Sequence, residues 1–216
     1  MTPVYFALIG DIVASRALSA ADRARLQRHL RAAIPDFNRR WRKALAARFA
    51  VTLGDEWQCL LTSAAPIWEI AHVVPATLAE VEWVIACGRG PVATPLTKGL
   101  AAPEVDGPCF HEARAALDGA KRSRRLLGFR GFGAAETVLN AFAGYYSALY
   151  WSWTPRQRQA AKLLRRGGPG LVIEQLRVSR SAVSHLAGRM AWPLVAAGDN
   201  IFKTMLGDAR PTTATR

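Results

Sequence analysis

The chain has 216 residues, of which 50% are hydrophobic and 21% are charged, and its formal net charge at pH 7 is +13. This balance is typical of a folded globular chain and excludes an intrinsically disordered one. The most apolar segment, residues 67–87, contains Glu69, Glu80 and Glu82. We therefore predict no membrane-spanning helix and expect no membrane partner.

The cysteine content and the N-terminus indicate the compartment. The three cysteines, Cys59, Cys87 and Cys109, are widely spaced and have no metal-binding pattern, which favours reduced and buried thiols. The N-terminal apolar run has no basic segment before it and no small-residue cleavage site after it, so a signal peptide is not predicted. We expect a cytoplasmic protein.

The positive charge is concentrated in the second half of the chain. Up to Asp118 there are 13 Lys and Arg against 12 Asp and Glu, whereas from Gly119 onward there are 16 against 4. A nearly neutral first part joined to a strongly basic second part indicates two different roles. The basic part is suited to a polyanionic partner, although a solvated basic surface is the alternative.

The first predicted elements are a strand, a helix and a hairpin. Residues 4–13 form a short apolar run that is typical of a buried strand. Ser19 can cap the helix that follows, and Pro35 is expected to interrupt it. Residues 49–61 are then expected to form a β-hairpin.

The remaining predicted elements alternate between helix and strand. They are a helix over about 66–78, a strand over 81–87, a loop over 94–103, a helix from 106 to about 117, and a long aromatic-rich helix over 134–153. The hairpin requires part of the sheet to be antiparallel. We therefore predict an α+β fold with a ferredoxin-like mixed sheet and helices on one face.

Two aspartates stand at the ends of predicted strands. Asp11 follows the apolar run of the first strand, and Asp55 lies at the hairpin turn after Gly54. Carboxylates on neighbouring strand ends can share a hard cation such as Mg²⁺ or Mn²⁺, which in turn holds phosphates. The alternative is that both are turn residues, because Gly-Asp is common in turns for backbone reasons alone.

Three blocks of the sequence resemble the signature blocks of SatD family proteins. They are residues 10–16 (GDIVASR), 52–58 (TLGDEWQ) and 106–114 (DGPCFHEAR). Their order and spacing match the family, and they span most of residues 3–125. The family resemblance by itself implies little about chemistry.

The same blocks are distantly similar to class III nucleotide cyclases. That resemblance implies a metal and nucleotide site made of Asp11, Ile12 through its carbonyl, Asp55, Gly88, Gly90 and Arg114. The chain departs from cyclases at Val51, where a base-reading lysine is usual, and at Phe110, where an asparagine is usual. Without these groups cyclisation would lose base recognition and orientation of the transition state, so we do not expect cyclase activity.

Further polar residues are candidates for the same site. His111 could act as an acid or base near neutral pH, or it could be a structural hydrogen-bonding residue. His111 and Arg114 are therefore the candidate catalytic residues. Ser15 and Arg16 could contact phosphate or form a surface turn. The full set expected for nucleotide or phosphate binding is Ser15, Arg16, Gly54, Gly88, Gly90, Asp106 and Arg114.

The C-terminal part has the pattern of a helix-turn-helix. A helix beginning at Thr154 and Pro155 is expected to end at Gly167 and Gly168, and a short second helix follows. Residues 177–186 (RVSRSAVSHL) then resemble the helix-turn-helix of sigma-factor region 4, with the inward-facing residues expected to be Ala182, Val183 and Leu186.

Two groups of polar residues would contact DNA in this arrangement. The second helix of the motif would present Ser179, Arg180, Ser181, Ser184, His185 and Arg189 to the major groove. The phosphate contacts would come from Arg156, Arg158, Lys162, Arg165 and Arg166. The alternative is a plain helical bundle with a solvated basic face.

The sequence thus predicts a cyclase-like domain over 1–133, a linking helix over 134–153, a helix-turn-helix module over 154–209 and a flexible tail over 210–216. The expected function is a DNA-binding regulator whose first domain binds a nucleotide or a metal. A homodimer is expected, because helix-turn-helix proteins read paired half-sites. The alternatives are a metal-dependent nucleotidyl or phosphoryl transfer enzyme and a dimerisation scaffold that binds no ligand.

Overall fold

The structure is a computed structural model that describes residues 2–52 and 54–208, without the side chains of Arg16 and Asp208. Its strands are β1 (Tyr5–Ile12), β2 (Leu45–Val51), β3 (Trp57–Leu61), β4 (Trp83–Gly90) and β5 (Leu127–Arg130). Its α-helices are α1 (Ala20–Arg40), α2 (Ile67–Thr77), α3 (Pro108–Arg122), α4 (Ala135–Ser152), α5 (Pro155–Leu176), α6 (Arg180–Arg189) and α7 (Trp192–Asp208). The tail predicted over 210–216 lies outside the described residues.

In the described part of the chain, the strands form a five-stranded sheet in the order β2-β3-β1-β4-β5. From β2 to β4 all neighbours are antiparallel, which is the strand order of the ferredoxin-like split βαβ arrangement. Strand β5 adds to β4 in parallel at the edge. The α+β class with a mixed sheet is therefore confirmed. The sequence did not reveal β5, because a strand of four residues inside a basic, glycine-rich segment carries almost no periodic signal.

Helices cover both faces of the sheet, which differs from the expectation of helices on one face. Phe6 and Leu8 share a core with α1, α2 and α4, whereas Ala7 and Ile9 pack against α3 on the opposite face. Successive residues of a strand point to opposite faces. The uninterrupted apolar run of β1 is therefore what burial on both faces requires.

Helix α3 lies unusually close to the sheet because a glycine stands beneath it. A Cβ atom on Gly88 would lie 2.1 Å from the backbone nitrogen of Ala113 and 2.1 Å from the carbonyl oxygen of Cys109. No side chain fits at that distance. Gly90 is likewise close to the first turn of α3, where a Cβ atom would lie 3.1 Å from the nitrogen of Cys109.

Helix α1 begins where the sequence predicts but continues through its proline. The Ser19 side chain accepts a hydrogen bond from the backbone nitrogen of Asp22 at 3.1 Å. Pro35 lies inside the continuous helix, so the predicted interruption is wrong. The carbonyl of Arg31, which loses its partner at Pro35, belongs to an exposed residue, and water can satisfy it.

The C-terminal helices share the core of the sheet face that carries α1 and α2. Helix α5 is broken at Gly167 and Gly168, the site at which the sequence predicts the end of a helix. Phe202 of α7 stacks on Trp68 of α2 with ring centroids 4.4 Å apart, and both belong to the cluster that contains Phe6. Among the described residues, no helix combines the length and hydrophobicity needed to span a membrane.

Candidate functional site

The end of β1 brings Asp11 next to Glu56. The pairing of β1 with β3 places Gly10 opposite Trp57, and continuing that register by one residue places Asp11 opposite Glu56. Residues directly opposite one another share a face of the sheet. Asp11 and Glu56 therefore lie side by side on the face covered by α3.

Both carboxylates are paired with cations of α3. Lys121 donates a hydrogen bond to Asp11, and Arg114 donates two to Glu56 at 2.5 and 2.7 Å. Lys121 and Arg114 are seven residues apart, which is about two helical turns, so they lie on one side of the helix. The cluster formed by Asp11, Glu56, Arg114 and Lys121 is called the carboxylate cluster below.

Glu56 is the most extensively hydrogen-bonded member of this cluster. It also accepts from the Thr52 hydroxyl at 3.0 Å and from the Gln58 amide at 2.9 Å. Burial alone would raise the pKa of Glu56, but the hydrogen bonds and charge of Arg114, with the hydrogen bonds of Gln58 and Thr52, lower it below its usual value. Glu56 is therefore ionised at neutral pH.

The carboxylate cluster offers few free ligands to a metal ion. Asp11 is engaged by Lys121 and by the backbone nitrogen of Ile12 at 2.7 Å. Asp55 has one enclosed carboxylate oxygen, Oδ2, without a hydrogen-bond partner among the described residues. The described residues contain no group of three or more His, Cys, Asp or Glu arranged to hold a metal. A cation at Asp11 would have to displace Lys121.

The other residues expected at this site are dispersed. The α3 backbone fills the space beside Gly88 and Gly90, so these glycines serve helix packing. Gly54 lies at the hairpin turn with φ +77° and open space around it. His111 contacts Asp106 at 3.2 Å, but both side chains are more than 70% exposed, and such pairs contribute little to stability.

The first turn after Asp11 is a short 3₁₀ helix, Ser15–Ala17. Its carbonyl at Ser15 accepts a hydrogen bond from Arg23 at 3.4 Å. The side chain of Arg16 lies outside the described part of the structure.

The three cysteines are free and buried as expected, and burial raises the pKa of the Cys109 thiol to about 11.

Two C-terminal helices are joined by a short turn where the sequence predicts a helix-turn-helix. The second half of α5, from Pro169 to Leu176, is followed by Arg177 in the left-handed conformation and then by α6. Ser179 caps α6 and accepts a hydrogen bond from the nitrogen of Ala182 at 3.2 Å. Val183 is buried on a helix that packs against α5 and α7, while Ala182, expected to face inward, is exposed.

The outer face of α6 carries polar side chains in an open position. Its exposed residues include Arg180, Ser181, Ser184, His185 and Arg189. These are five of the six residues that the sequence predicts for major-groove contact. The sixth, Ser179, is the exposed N-cap of the same helix.

Arg165 does not lie on that surface. It donates to Asp199 at 2.8 and 3.0 Å and to the Tyr146 hydroxyl at 2.9 Å, and the Arg165 and Asp199 side chains are each only 11% exposed. Although burial acts to lower it, the pKa of Arg165 is raised, because Tyr146 and Asp199 stabilise the cation. Arg165 joins α4, α5 and α7 and is not available to DNA.

Arg158 and Lys162 also point towards the sheet. They lie 3.4 and 3.5 Å from the carboxylate of Glu82, which precedes β4, and Tyr150 donates to the same carboxylate at 2.6 Å. This differs from the phosphate contacts expected for them, whereas Arg156 and Arg166 are exposed. Glu82 was not predicted, because a carboxylate at a strand start has no distinguishing pattern. Lys121 was not predicted either, because its only signal is its seven-residue distance from Arg114.

Comparison with known proteins supports a family assignment. A family model described as the SatD family matches residues 5–124, which is more than half of the chain and includes all three sequence blocks, the carboxylate cluster and the sheet up to β4. No curated protein matches the chain. The chain belongs to the SatD family.

Proposed function

We propose that this protein is a DNA-binding regulator in which α6 is the recognition helix. The observation that carries the proposal is the exposed outer face of α6, opposite the buried Val183, with its polar and basic side chains. A helix of this kind can enter the major groove of DNA and contact base edges through its N-terminal residues.

The charge distribution supports the same function. The segment from Gly119 onward holds 16 Lys and Arg against 4 Asp and Glu, and neutralising phosphates supplies much of the affinity of DNA-binding proteins. With Arg158, Lys162 and Arg165 directed inward, Arg156 and Arg166 are the expected phosphate contacts that remain exposed, and Arg177 is exposed as well. We also propose a homodimer, because helix-turn-helix proteins pair their half-sites.

The test starts from a DNA target selected from a random library with the wild-type protein. Arg180→Ala should weaken binding to that target by about 1–3 kcal/mol, as expected for an arginine that reads a base. Arg28→Ala, an equal loss of charge on the exposed side of α1, is the matched control and should leave binding unchanged.

Titration of salt completes this test. The logarithm of the binding constant should fall steeply and linearly with the logarithm of the salt concentration if phosphates are neutralised. Affinity that is flat with salt and equal for Arg180→Ala and Arg28→Ala would show that α6 is not a recognition helix. The selected target should contain two half-sites about 10 base pairs apart if a dimer binds.

One observation favours a second function, metal-dependent nucleotidyl or phosphoryl transfer. The enclosed Oδ2 of Asp55 has no partner among the described residues, and a hard cation prefers such carboxylate oxygens. Incubation with each nucleoside triphosphate and Mn²⁺ tests it. Turnover that Asp55→Asn and Asp11→Asn abolish would establish an enzyme, while the absence of product with every triphosphate would exclude this activity.

A further inference from the structure

A large groove lies between helices α1 and α2 of the sheet part and helices α5 and α7 of the C-terminal part. It has a volume of about 980 Å³, and its walls come from α1 and α2 on one side and from α5 and α7 on the other. That volume is at the upper end of the range of small-molecule sites. The groove lies on the opposite face of the sheet from the carboxylate cluster, because α1 and α2 pack on the face that α3 does not cover.

The groove contains more cations than carboxylates. Its basic residues are Arg39, Arg40, Lys162, Arg165, Arg166 and Lys203, and its acidic residues are Asp36, Glu69 and Asp199. Each of the three carboxylates is already paired with an arginine of the groove. In the described part of the chain, Arg166 and Lys203 are exposed and form no ion pair, and they stand on α5 and α7, which line the same side of the groove.

Two enclosed polar groups of the wall have no hydrogen-bond partner among the described residues. The Trp68 indole nitrogen is enclosed and has no partner among the described residues, and the same holds for Nε2 of His72. Burial lowers the pKa of His72 well below its usual value, and the charges of Arg165 and Lys203 lower it further. Lysine, arginine and tryptophan side chains only donate, so the groove favours a ligand that accepts hydrogen bonds and carries negative charge.

We propose that this groove binds a phosphate-bearing small molecule of nucleotide size, with Arg166 and Lys203 holding its phosphates. Phosphate groups carry several acceptor oxygens and more than one negative charge, which matches the excess of cations. Trp192 in the same wall is partly exposed and can pack against an aromatic ring. The site does not depend on DNA binding.

Calorimetric titration of the full-length protein, without DNA, tests the proposal. The probes are ATP, tripolyphosphate, which has no base, and adenosine, which has no phosphate. We expect ATP and tripolyphosphate to bind and adenosine not to bind. Lys203→Glu and Arg166→Glu should each weaken ATP binding by about tenfold or more, because each reverses a charge close to the phosphates.

The matched control is Arg28→Glu, which makes the same charge reversal on an exposed residue of α1 outside the groove. Its ATP affinity should equal that of the wild type. Lys203→Gln is a milder variant should Lys203→Glu unfold, and it should weaken binding in the same direction. The proposal is overturned if neither phosphate compound binds, or if the groove variants weaken ATP binding no more than Arg28→Glu. Because DNA is absent, either result leaves the recognition-helix proposal untouched.

Discussion

At the scale of single residues, the carboxylate cluster is held by charge pairing across the sheet–helix interface. Glu56 is only 13% exposed and carries the Arg114 bridge together with two neutral donors. Asp11 is similarly enclosed beside Lys121. The two carboxylates at the end of the sheet hold α3 by ion pairs. Arg114, which the sequence predicts to contact phosphates, contacts Glu56 instead.

Replacing Glu56 with Gln should therefore destabilise the protein in a pH-dependent way. The pKa of Glu56 is lowered in the folded state from its usual value of 4.5. The ionised Glu56 therefore stabilises the fold fully above about pH 4.5. This stabilisation is lost as the pH falls through the pKa of the folded state. At pH 7 we expect a loss of about 1–2 kcal/mol, moderated because Arg114 is half exposed.

Urea unfolding at pH 7 and pH 3.5 measures this effect. The difference between wild type and Glu56→Gln should shrink at the lower pH. Glu112→Gln is the control, since Glu112 forms an exposed ion pair with Arg130 and should change stability by less than about 1 kcal/mol. A loss at Glu56 that is the same at both pH values would refute the charge-pairing account.

At the scale of elements, the position of α3 depends on the glycine beneath it. Strand β4 continues to Gly90, three residues beyond the strand end predicted from the sequence. Its terminal glycines let the helix backbone approach the strand. Helix α3 connects β4 to the parallel strand β5, and this crossover covers one face of the sheet. The other helices that pack on the sheet cover the opposite face.

Gly88→Ala should destabilise the protein, because its methyl group would lie 2.1 Å from α3 backbone atoms that cannot rotate away. We expect a loss of about 1–3 kcal/mol or more, with a fall of roughly 2–4 °C in Tm for each kcal/mol. Gly198→Ala in α7 meets nothing within 4 Å and should be neutral or stabilising by up to about 1 kcal/mol. Equal melting temperatures for Gly88→Ala and the wild type would contradict the close packing.

At the scale of the whole molecule, the hydrophobic core does not stop at the predicted boundary near residue 153. It runs from Phe6 in β1 through Trp68 in α2 to Phe202 in α7. The Glu82 contacts with Arg158 and Lys162 cross the same boundary. The sheet part and the C-terminal helices are therefore joined by packing as well as by sequence.

We expect the described parts of the chain to unfold together. Phe202→Ala removes a fully buried ring and should cost about 3–5 kcal/mol. Hydrogen exchange should show the loss of protection in β1 as well as in α6, although Phe202 belongs to neither. Loss of protection confined to α5–α7, or two separate thermal transitions by circular dichroism, would show that the two parts fold independently.

The sequence by itself determined the α+β class, the ferredoxin-like order of β1 to β4, the Ser19 and Ser179 helix caps and the break at Gly167 and Gly168. These follow from local patterns, since apolar runs, capping side chains and paired glycines act within a few residues. The exposed polar residues of α6 were predictable for the same reason, because helical periodicity separates the buried Val183 from its exposed neighbours.

Only the tertiary structure decided which charges meet. Whether Arg165 faces solvent or Asp199, and whether Arg114 faces a ligand or Glu56, depends on side chains far away in the chain. Local pattern cannot encode such pairing. The same holds for β5, whose place depends on an edge of β4, and for the groove between α1, α2, α5 and α7, which exists only where separate helices pack together.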